Sequence, residues 1–261
     1  MESRRKMQRL KKIGMPLFTL LLVLAVWEGC VRIFAIDLYI LPAPSKIVQA
    51  LFANREVLWM HSLVTLQEAV AGLLIATLLA VVIAIGMDVS QIFKHSIFPH
   101  LVVTQTVPVM VLGPLFSIWL GFGMAPKILM VIFMCFFPVV IAFCDALGKV
   151  DEHQISLLKS FGAKKWQIYA YVKIPAASTA LFSGLKVAAT YCIGGAIVGE
   201  WLSASAGLGY YMIRVKNGYM LDKVFACVVV IIALSLLLHG AVVLLEAVLF
   251  PYAGKKKGRK A

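Results

Sequence analysis

Leu73-Leu74-Ile75-Ala76-Thr77-Leu78-Leu79-Ala80-Val81-Val82-Ile83-Ala84-Ile85-Gly86-Met87 closes a stretch, residues 62–87, whose only charged side chain is Glu68. A helix needs about 20 predominantly apolar residues to cross the hydrocarbon core of a bilayer. Five further segments meet that length: 13–36, 97–120, 126–148, 176–202 and 223–250. Backbone N–H and C=O groups cannot stay unpaired in lipid, so such segments must be helices or strands of a closed barrel. The short alternating strands of a barrel are missing from the sequence, which leaves helices. The chain therefore reads as an all-α polytopic membrane protein with about six transmembrane helices.

The bulk composition agrees. Of 261 residues 62% are hydrophobic, and the mean hydropathy is +0.94. Soluble domains hold about 45–50% apolar residues, and a soluble fold of this length could not hide so much apolar surface. The net charge of +13 sits at the ends and in loops. Arg4, Arg5, Lys6, Arg9, Lys11 and Lys12 open the chain, and Lys255, Lys256, Lys257, Arg259 and Lys260 close it. This charge flanks apolar spans, so positive-inside orientation explains it and nucleic acid does not. With the N-terminus inside, seventeen Lys and Arg fall on the cytoplasmic side and six on the other, placing both termini in the cytoplasm. The basic start followed by Ile13 to Trp27 imitates a secretory signal. No small-residue cleavage site follows, and Glu28 and Arg32 come next, so the segment reads as an uncleaved first helix.

The expected organisation is a basic cytoplasmic segment at 1–12, a first transmembrane helix with an extracytoplasmic loop or helix at 13–60, a five-helix core at 61–250, and a basic cytoplasmic tail at 251–261. In the 37–61 connection, Pro42 and Pro44 stop the first helix and Ser45 is placed to cap a short amphipathic one. Cys30, Cys135, Cys144, Cys192 and Cys227 lack paired spacing and read as small buried side chains. His100 and His239 stand alone, so no metal or cofactor is expected.

The connection 149–175 carries the most information. Asp151 and Glu152 favour a helix start through the dipole. Ile155, Leu158 and Phe161 fall on one face, Gly162 permits a turn, and a second short helix leads to Pro175, placed to begin the fifth span. The result is a cytoplasmic helix-turn-helix elbow over 151–173 with an apolar knob. From the residues alone it is equally an amphipathic helix lying at the lipid headgroups.

Charged residues inside the spans, Glu28, Glu68, Asp145, Glu200 and Glu246, must face protein or water. Glu28 and Arg32 are spaced to pair on one helix face. Glu246 and Asp145 lie near the cytoplasmic interface. Glu200 has three readings: contact with a solute, with an extracytoplasmic partner, or with a helix terminus. Gln105 and Thr106 precede Pro108 and Pro114, and kinked helices line transport pathways; tight helix packing is the alternative for such residues. Tyr191 has the same two readings. The translocation candidates are thus Gln105, Thr106, Tyr191 and Glu200.

The elbow resembles the signature loop of the inner-membrane permeases of binding-protein-dependent ABC importers, which reads roughly E-A-A, three residues, G, about nine residues, I-x-L-P. Gly162 and Ile174-Pro175 match it. Ser156-Leu157-Leu158 stands where E-A-A is expected, so the acidic residue is absent. The similarity extends along the chain through Trp27-Glu28, Leu41-Pro42-Ala43-Pro44-Ser45, Thr106-Val107-Pro108 with Gly113-Pro114-Leu115, Trp119-Leu120-Gly121-Phe122-Gly123, Phe136-Phe137-Pro138, and Gly199-Glu200-Trp201 with Gly207-Leu208-Gly209-Tyr210. It is nearest the nitrate, sulfonate, taurine and thiamine-pyrimidine permeases.

The resemblance implies a type I importer fold in a bacterial inner membrane. It makes the elbow a coupling helix docked on separate ATPase subunits, carried by Ser156, Leu157, Leu158, Phe161, Gly162, Ala163, Ile174 and Pro175. It implies a homodimer served by an extracytoplasmic solute-binding protein. The chain has no G-x-x-x-x-G-K-[ST] loop, since Val150 follows Gly148-Lys149, so ATP is expected to be hydrolysed on a partner chain and no catalytic residue is expected here. Ala188-Ala189-Thr190-Tyr191 and Gly195 to Leu202 look most like permeases for the hydroxymethylpyrimidine precursor of thiamine, with sulfonate, taurine or nitrate as alternatives. The rival of another class is a secondary carrier or channel, which would show an inverted repeat or an intramembrane charge pathway. An intramembrane hydrolase would need a nucleophile turn or H-E-x-x-H, and neither occurs.

Overall fold

The computed structural model describes residues 2–250, with the side chains of 2–13 and of Ser203 excepted; the basic tail 251–261 lies outside the described residues. All regular elements among them are helical. Five stretches are long and apolar enough to cross a bilayer: Gly14–Ile33 within α1 (Glu2–Ile33), α3 (Arg55–Val89), α6 (Met124–Leu147), Lys165–Leu202, and α11 (Leu221–Leu249). A sixth crossing is made if α4 (Gln91–Thr104) and α5 (Val109–Leu120) count as one bent span.

That bend corrects the reading of 97–120 as one helix. The axes of α4 and α5 differ by 103°, and residues 105–108 leave the helix. Pro108 has no N–H to donate and drives Val107 out of the helical region, so the ladder stops there. Local bonds close the gap: Thr106 N donates to the Val103 carbonyl at 3.0 Å and Thr106 Oγ1 to the same carbonyl at 2.7 Å. Pro99 and Pro114 stay inside α4 and α5.

The described chain forms two compact units. One holds α1, α2 (Pro44–Ala53) and residues 211–230; the other holds 60–210 with the chain from 231 onward. In the first unit, α2 begins at Pro44 behind Ala43, which offers no side-chain cap. Glu28 of α1 supplies the missing acceptor. Its carboxylate accepts from Ser45 N at 2.9 Å and Ser45 Oγ at 2.7 Å, and pairs with Arg32 at 2.6 Å. The expected Glu28–Arg32 pair is present, but Ser45 sits in the first turn of α2 and is capped by Glu28 instead of capping. Trp27 packs against Phe225 with ring centroids 5.7 Å apart.

The second unit is built on close backbone contact. Between helices in lipid the hydrophobic effect gives no attraction, so association depends on packing of small residues. α9 (Ile174–Ser203) presents Gly184, Gly195 and Gly199 to α6. A Cβ on Gly184 would lie 2.7 Å from the Pro138 carbonyl oxygen, one on Gly195 3.1 Å from Val131 Cα, and one on Gly199 2.9 Å from Lys127 Cα. From the other side, a Cβ on Gly72 of α3 would meet Val131 Cβ at 2.5 Å. Three helices therefore close on Val131, and Ala69, Ala76, Ala80 and Ala84 continue the seam along α3, all fully buried. Cys135, Cys144, Cys192 and Cys227 are buried as expected, whereas Cys30 is exposed on α1.

Candidate functional site

The elbow follows α6. Asp151 caps α7 (Glu152–Ser160) by accepting from His153 N at 2.9 Å. The helix ends in a left-handed glycine: Gly162 has φ +78°, its N–H reaches the Lys159 carbonyl at 2.9 Å, and Ala163 N reaches the Leu158 carbonyl at 3.1 Å. This pair of bonds is a Schellman closure, which favours glycine at that position. α8 (Lys165–Ile168) then runs without a break through a π-helical stretch, Tyr169–Lys173, into α9. Pro175 therefore does not begin a separate span, as the sequence suggested. The long helix starts at Lys165, and the wide π turn just before Pro175 accommodates a residue that cannot donate to the ladder.

The apolar knob differs in detail from the expected face. Ile155 and Leu158 are half-buried. Leu157 and Phe161, one turn apart, are 59% and 79% exposed. Trp166 and Tyr171 are also exposed, with rings 6.5 Å apart. Ser156 is exposed, Ala163 and Ile174 half-buried, and Pro175 exposed.

A residue that the sequence reading passed over holds the second arm of the elbow. Asp88, in the last turn of α3, accepts hydrogen bonds from the Tyr169 hydroxyl and from Lys173 Nζ at 2.6 Å, and Lys173 Nζ lies 5.2 Å from the Tyr169 ring centroid. Both donors come from the π stretch. An aspartate at a helix C-terminus opposes the helix dipole, and a lone acid ending an apolar run is a signal that a cation must be found elsewhere.

The opposite end of α3, about 35 Å away at 1.5 Å per residue between Thr65 and Asp88, carries a second polar cluster. Glu68 is fully buried and pairs with Lys127 of α6 at 2.7 Å. Thr65 Oγ1 donates to Glu200 of α9 at 2.6 Å. The first N–H groups of α10 (Leu208–Asn217) are taken one by one: Gly207 N by His61 Nδ1 at 3.1 Å, Leu208 N by Thr65 Oγ1 at 2.8 Å, and Gly209 N by Glu200 Oε2 at 2.5 Å. A helix start has unsatisfied donors, and α3 and α9 together provide its cap. Gly207 has φ +111°, and a Cβ there would stand 2.1 Å from Glu200 Oε1.

Of the three readings for Glu200, the helix terminus is the one seen. Its carboxylate is 1% exposed and accepts from protein donors. Gln105 and Thr106 lie in the exposed break between α4 and α5, and Tyr191 is 51% exposed on α9. Of the four candidates, three are thus exposed and Glu200 is buried. Glu246, read as an interfacial acid, forms an ion pair with Lys186 of α9. Among the described residues no group of three or more His, Cys, Asp or Glu could hold a metal ion.

Residues 72–249 match the family model for the binding-protein-dependent transport system inner membrane component. The chain is 34% identical over 227 residues to a probable ABC transporter permease protein of Haemophilus influenzae, covering 87% of this chain and 93% of that one. It is 28% identical to the formylaminopyrimidine transport permease of Halalkalibacterium halodurans, covering 92% and 96%, and 25% identical to the taurine transport system permease of Escherichia coli, covering 94% and 92%. Among solved structures, an amino acid ABC transporter with histidines shares the fold: TM-score 0.58 at 17% identity, over 76% of this chain and 94% of that chain.

Proposed function

Because the chain belongs to the inner membrane components of binding-protein-dependent transport systems, we propose that it couples ATP hydrolysis to solute passage through its 151–175 elbow. As a multi-pass inner-membrane permease of an ABC importer, it works with ATPase subunits and an extracytoplasmic binding protein, and ATP is hydrolysed on the partner chain. The elbow is the element that docks on that partner. The observation carrying this reading is the exposed pair of Leu157 on the nine-residue helix and Phe161 at its C-cap, closed by a left-handed glycine. An apolar knob of this kind is stable in a pocket on another protein. Ser156, where the signature has an acid, offers the partner a hydroxyl and no charge. Leu158 and Ala163 are half-buried beside the knob in sequence, and Ile174-Pro175 follows the π stretch into the span.

Orientation follows with both termini cytoplasmic, and assembly as a homodimer, since one such chain is too small to enclose a solute path. Gln105, Thr106 and Tyr191, exposed in the single chain, are the residues to face the path or the second copy. The solute is a thiamine-type pyrimidine such as hydroxymethylpyrimidine; the relative for formylaminopyrimidine, alike over nearly its whole length, supports this. Taurine or another sulfonate is the second reading, supported by the weaker likeness to the taurine permease.

The test is reconstitution with the cognate ATPase and binding protein in proteoliposomes. ATP-dependent uptake of labelled hydroxymethylpyrimidine and not of taurine supports the pyrimidine reading, and the reverse sinks it. Phe161→Asp should release the ATPase during purification, because it would bury an unpaired charge at the contact. Retention of the ATPase with normal uptake would sink the docking reading. A purified complex with one permease copy would refute the homodimer.

A further inference from the structure

We propose that Asp88 is the positioning residue through which the elbow moves the membrane-spanning bundle, by latching the π-helical stretch Tyr169–Lys173 to the cytoplasmic end of α3. The inference rests on the reading of the elbow as the coupling element, and adds the route by which its motion leaves it. Asp88 is nearly buried, its side chain 9% exposed, and Lys173 only 16%. Both donors, the Tyr169 hydroxyl and Lys173 Nζ, converge on the same oxygen, Oδ2. A carboxylate holding a phenol and an ammonium in a partly water-excluded place is a strong, directional joint.

The position of the joint gives it a mechanical meaning. The elbow leaves α6 through a non-helical turn at 148–151, which can absorb rotation. On its other side the chain passes into α9 through a π stretch, a form that often marks functional sites and whose wider turn is easier to deform. Covalent connection alone would let the elbow tilt without moving the spans. The Asp88 joint removes that slack on the α9 side and adds α3 as a second load-bearing helix. α3 in turn carries Gly72 against Val131 of α6 and Thr65 against Glu200 of α9, so a pull on its cytoplasmic end reaches the opposite end of the second unit through rigid contacts.

The experiment uses the full permease, its ATPase and its binding protein in proteoliposomes, and reads solute transported per ATP hydrolysed alongside ATPase co-purification. Asp88→Ala should assemble and hydrolyse ATP while the yield per ATP falls about tenfold, within the range of coupling between linked sites. Tyr169→Phe, which removes one donor and no volume, should give a smaller fall. The exchanged pair Asp88→Lys with Lys173→Asp should recover most of the yield; a merely structural role would lower the amount of assembled complex and leave its yield per ATP unchanged. An assembled Asp88→Ala complex with parental yield per ATP overturns the proposal. Should Asp88→Ala not assemble, Tyr169→Phe decides: a reduced yield supports the latch, an unchanged one overturns it. Phe161→Asp, measured in parallel, separates the two readings. If it releases the ATPase while the latch variants transport normally, only the latch fails; if it retains the ATPase, the elbow reading fails.

Discussion

Glu200 separates a scaffold role from a solute-binding role more sharply than any other residue of the chain. Its carboxylate accepts from Thr65 Oγ1 at 2.6 Å and from Gly209 N at 2.5 Å, and it also meets the Glu68 side chain. In Glu200→Ala, Thr65 can turn its hydroxyl wholly to the His61 carbonyl, 3.2 Å away, but Gly209 N–H has no such substitute. Orphaning one buried N–H costs about 1–3 kcal/mol, and truncating a fully buried side chain of this size costs about 2–5 kcal/mol. The sum, about 3–8 kcal/mol, is comparable with the whole stability of many domains. Glu200→Gln keeps the volume and one oxygen for Gly209, so it should lose only about 1 kcal/mol. At about 2–4 °C per kcal/mol for a chain of this size, thermal scanning of the detergent-solubilised protein should put Glu200→Gln about 2–4 °C below the parent and Glu200→Ala about 6–30 °C below it. Uptake by Glu200→Gln should keep the parental KM and solute preference, with maximal rate following the amount of folded protein. A fully folded Glu200→Gln with an altered KM or solute preference would refute this reasoning, and so would a Glu200→Ala as stable as the parent.

Lys127→Met should cost about 3–5 kcal/mol because it strands Glu68 in a buried site, whereas Lys127→Met combined with Glu68→Gln should return close to parental stability; the same thermal scan reads both, and an additive double variant would contradict the pairing. Gly162→Val forces a β-branched residue to φ +78°, where left-handed backbone costs an ordinary residue about 1–2 kcal/mol. It should leave the protein inserted and membrane-bound while ATP-driven uptake falls, and normal uptake would remove the need for that turn. Single cysteines placed at 45 and 216 should react with impermeant maleimide from outside and one at 164 only from inside; labelling of 164 from outside would reverse the orientation.

The spans were legible because lipid demands long apolar runs, and five of them need no tertiary information to be found. The break between α4 and α5 was only half legible. Pro108 announced a disturbance, but hydropathy is the same for a straight and a bent span, so 103° could not be foreseen. The elbow turn was readable from Gly162, since a Schellman closure is a local affair. Which apolar residues face outward was not readable: Ile155, Leu158 and Phe161 satisfy helical spacing, yet the exposed pair is Leu157 and Phe161, while Ile155 and Leu158 are half-buried. The partners of Glu200 were not readable for a similar reason. Its donors come from Thr65, far off in sequence, and from a backbone N–H that has no side-chain signature. Asp88 escaped notice because it ends an apolar run instead of interrupting one, and its partners lie more than eighty residues downstream.

The π-helical stretch has a consequence for how this chain tolerates insertion and deletion. A π turn holds one more residue than an α turn, and each α-helical residue turns the chain by about 100°. Removing one residue between Tyr169 and Lys173 would let an ordinary α-helix run from Lys165 to Ser203 with every interhelical contact of α9 intact. The elbow would keep its direction, because the π turn and the α turn that replaces it sweep about the same angle around the helix axis. A single-codon deletion here would therefore yield a permease that folds, inserts, keeps its seam on α6 and still presents its knob, but sets Tyr169 and Lys173, the two donors to Asp88, three residues apart instead of four.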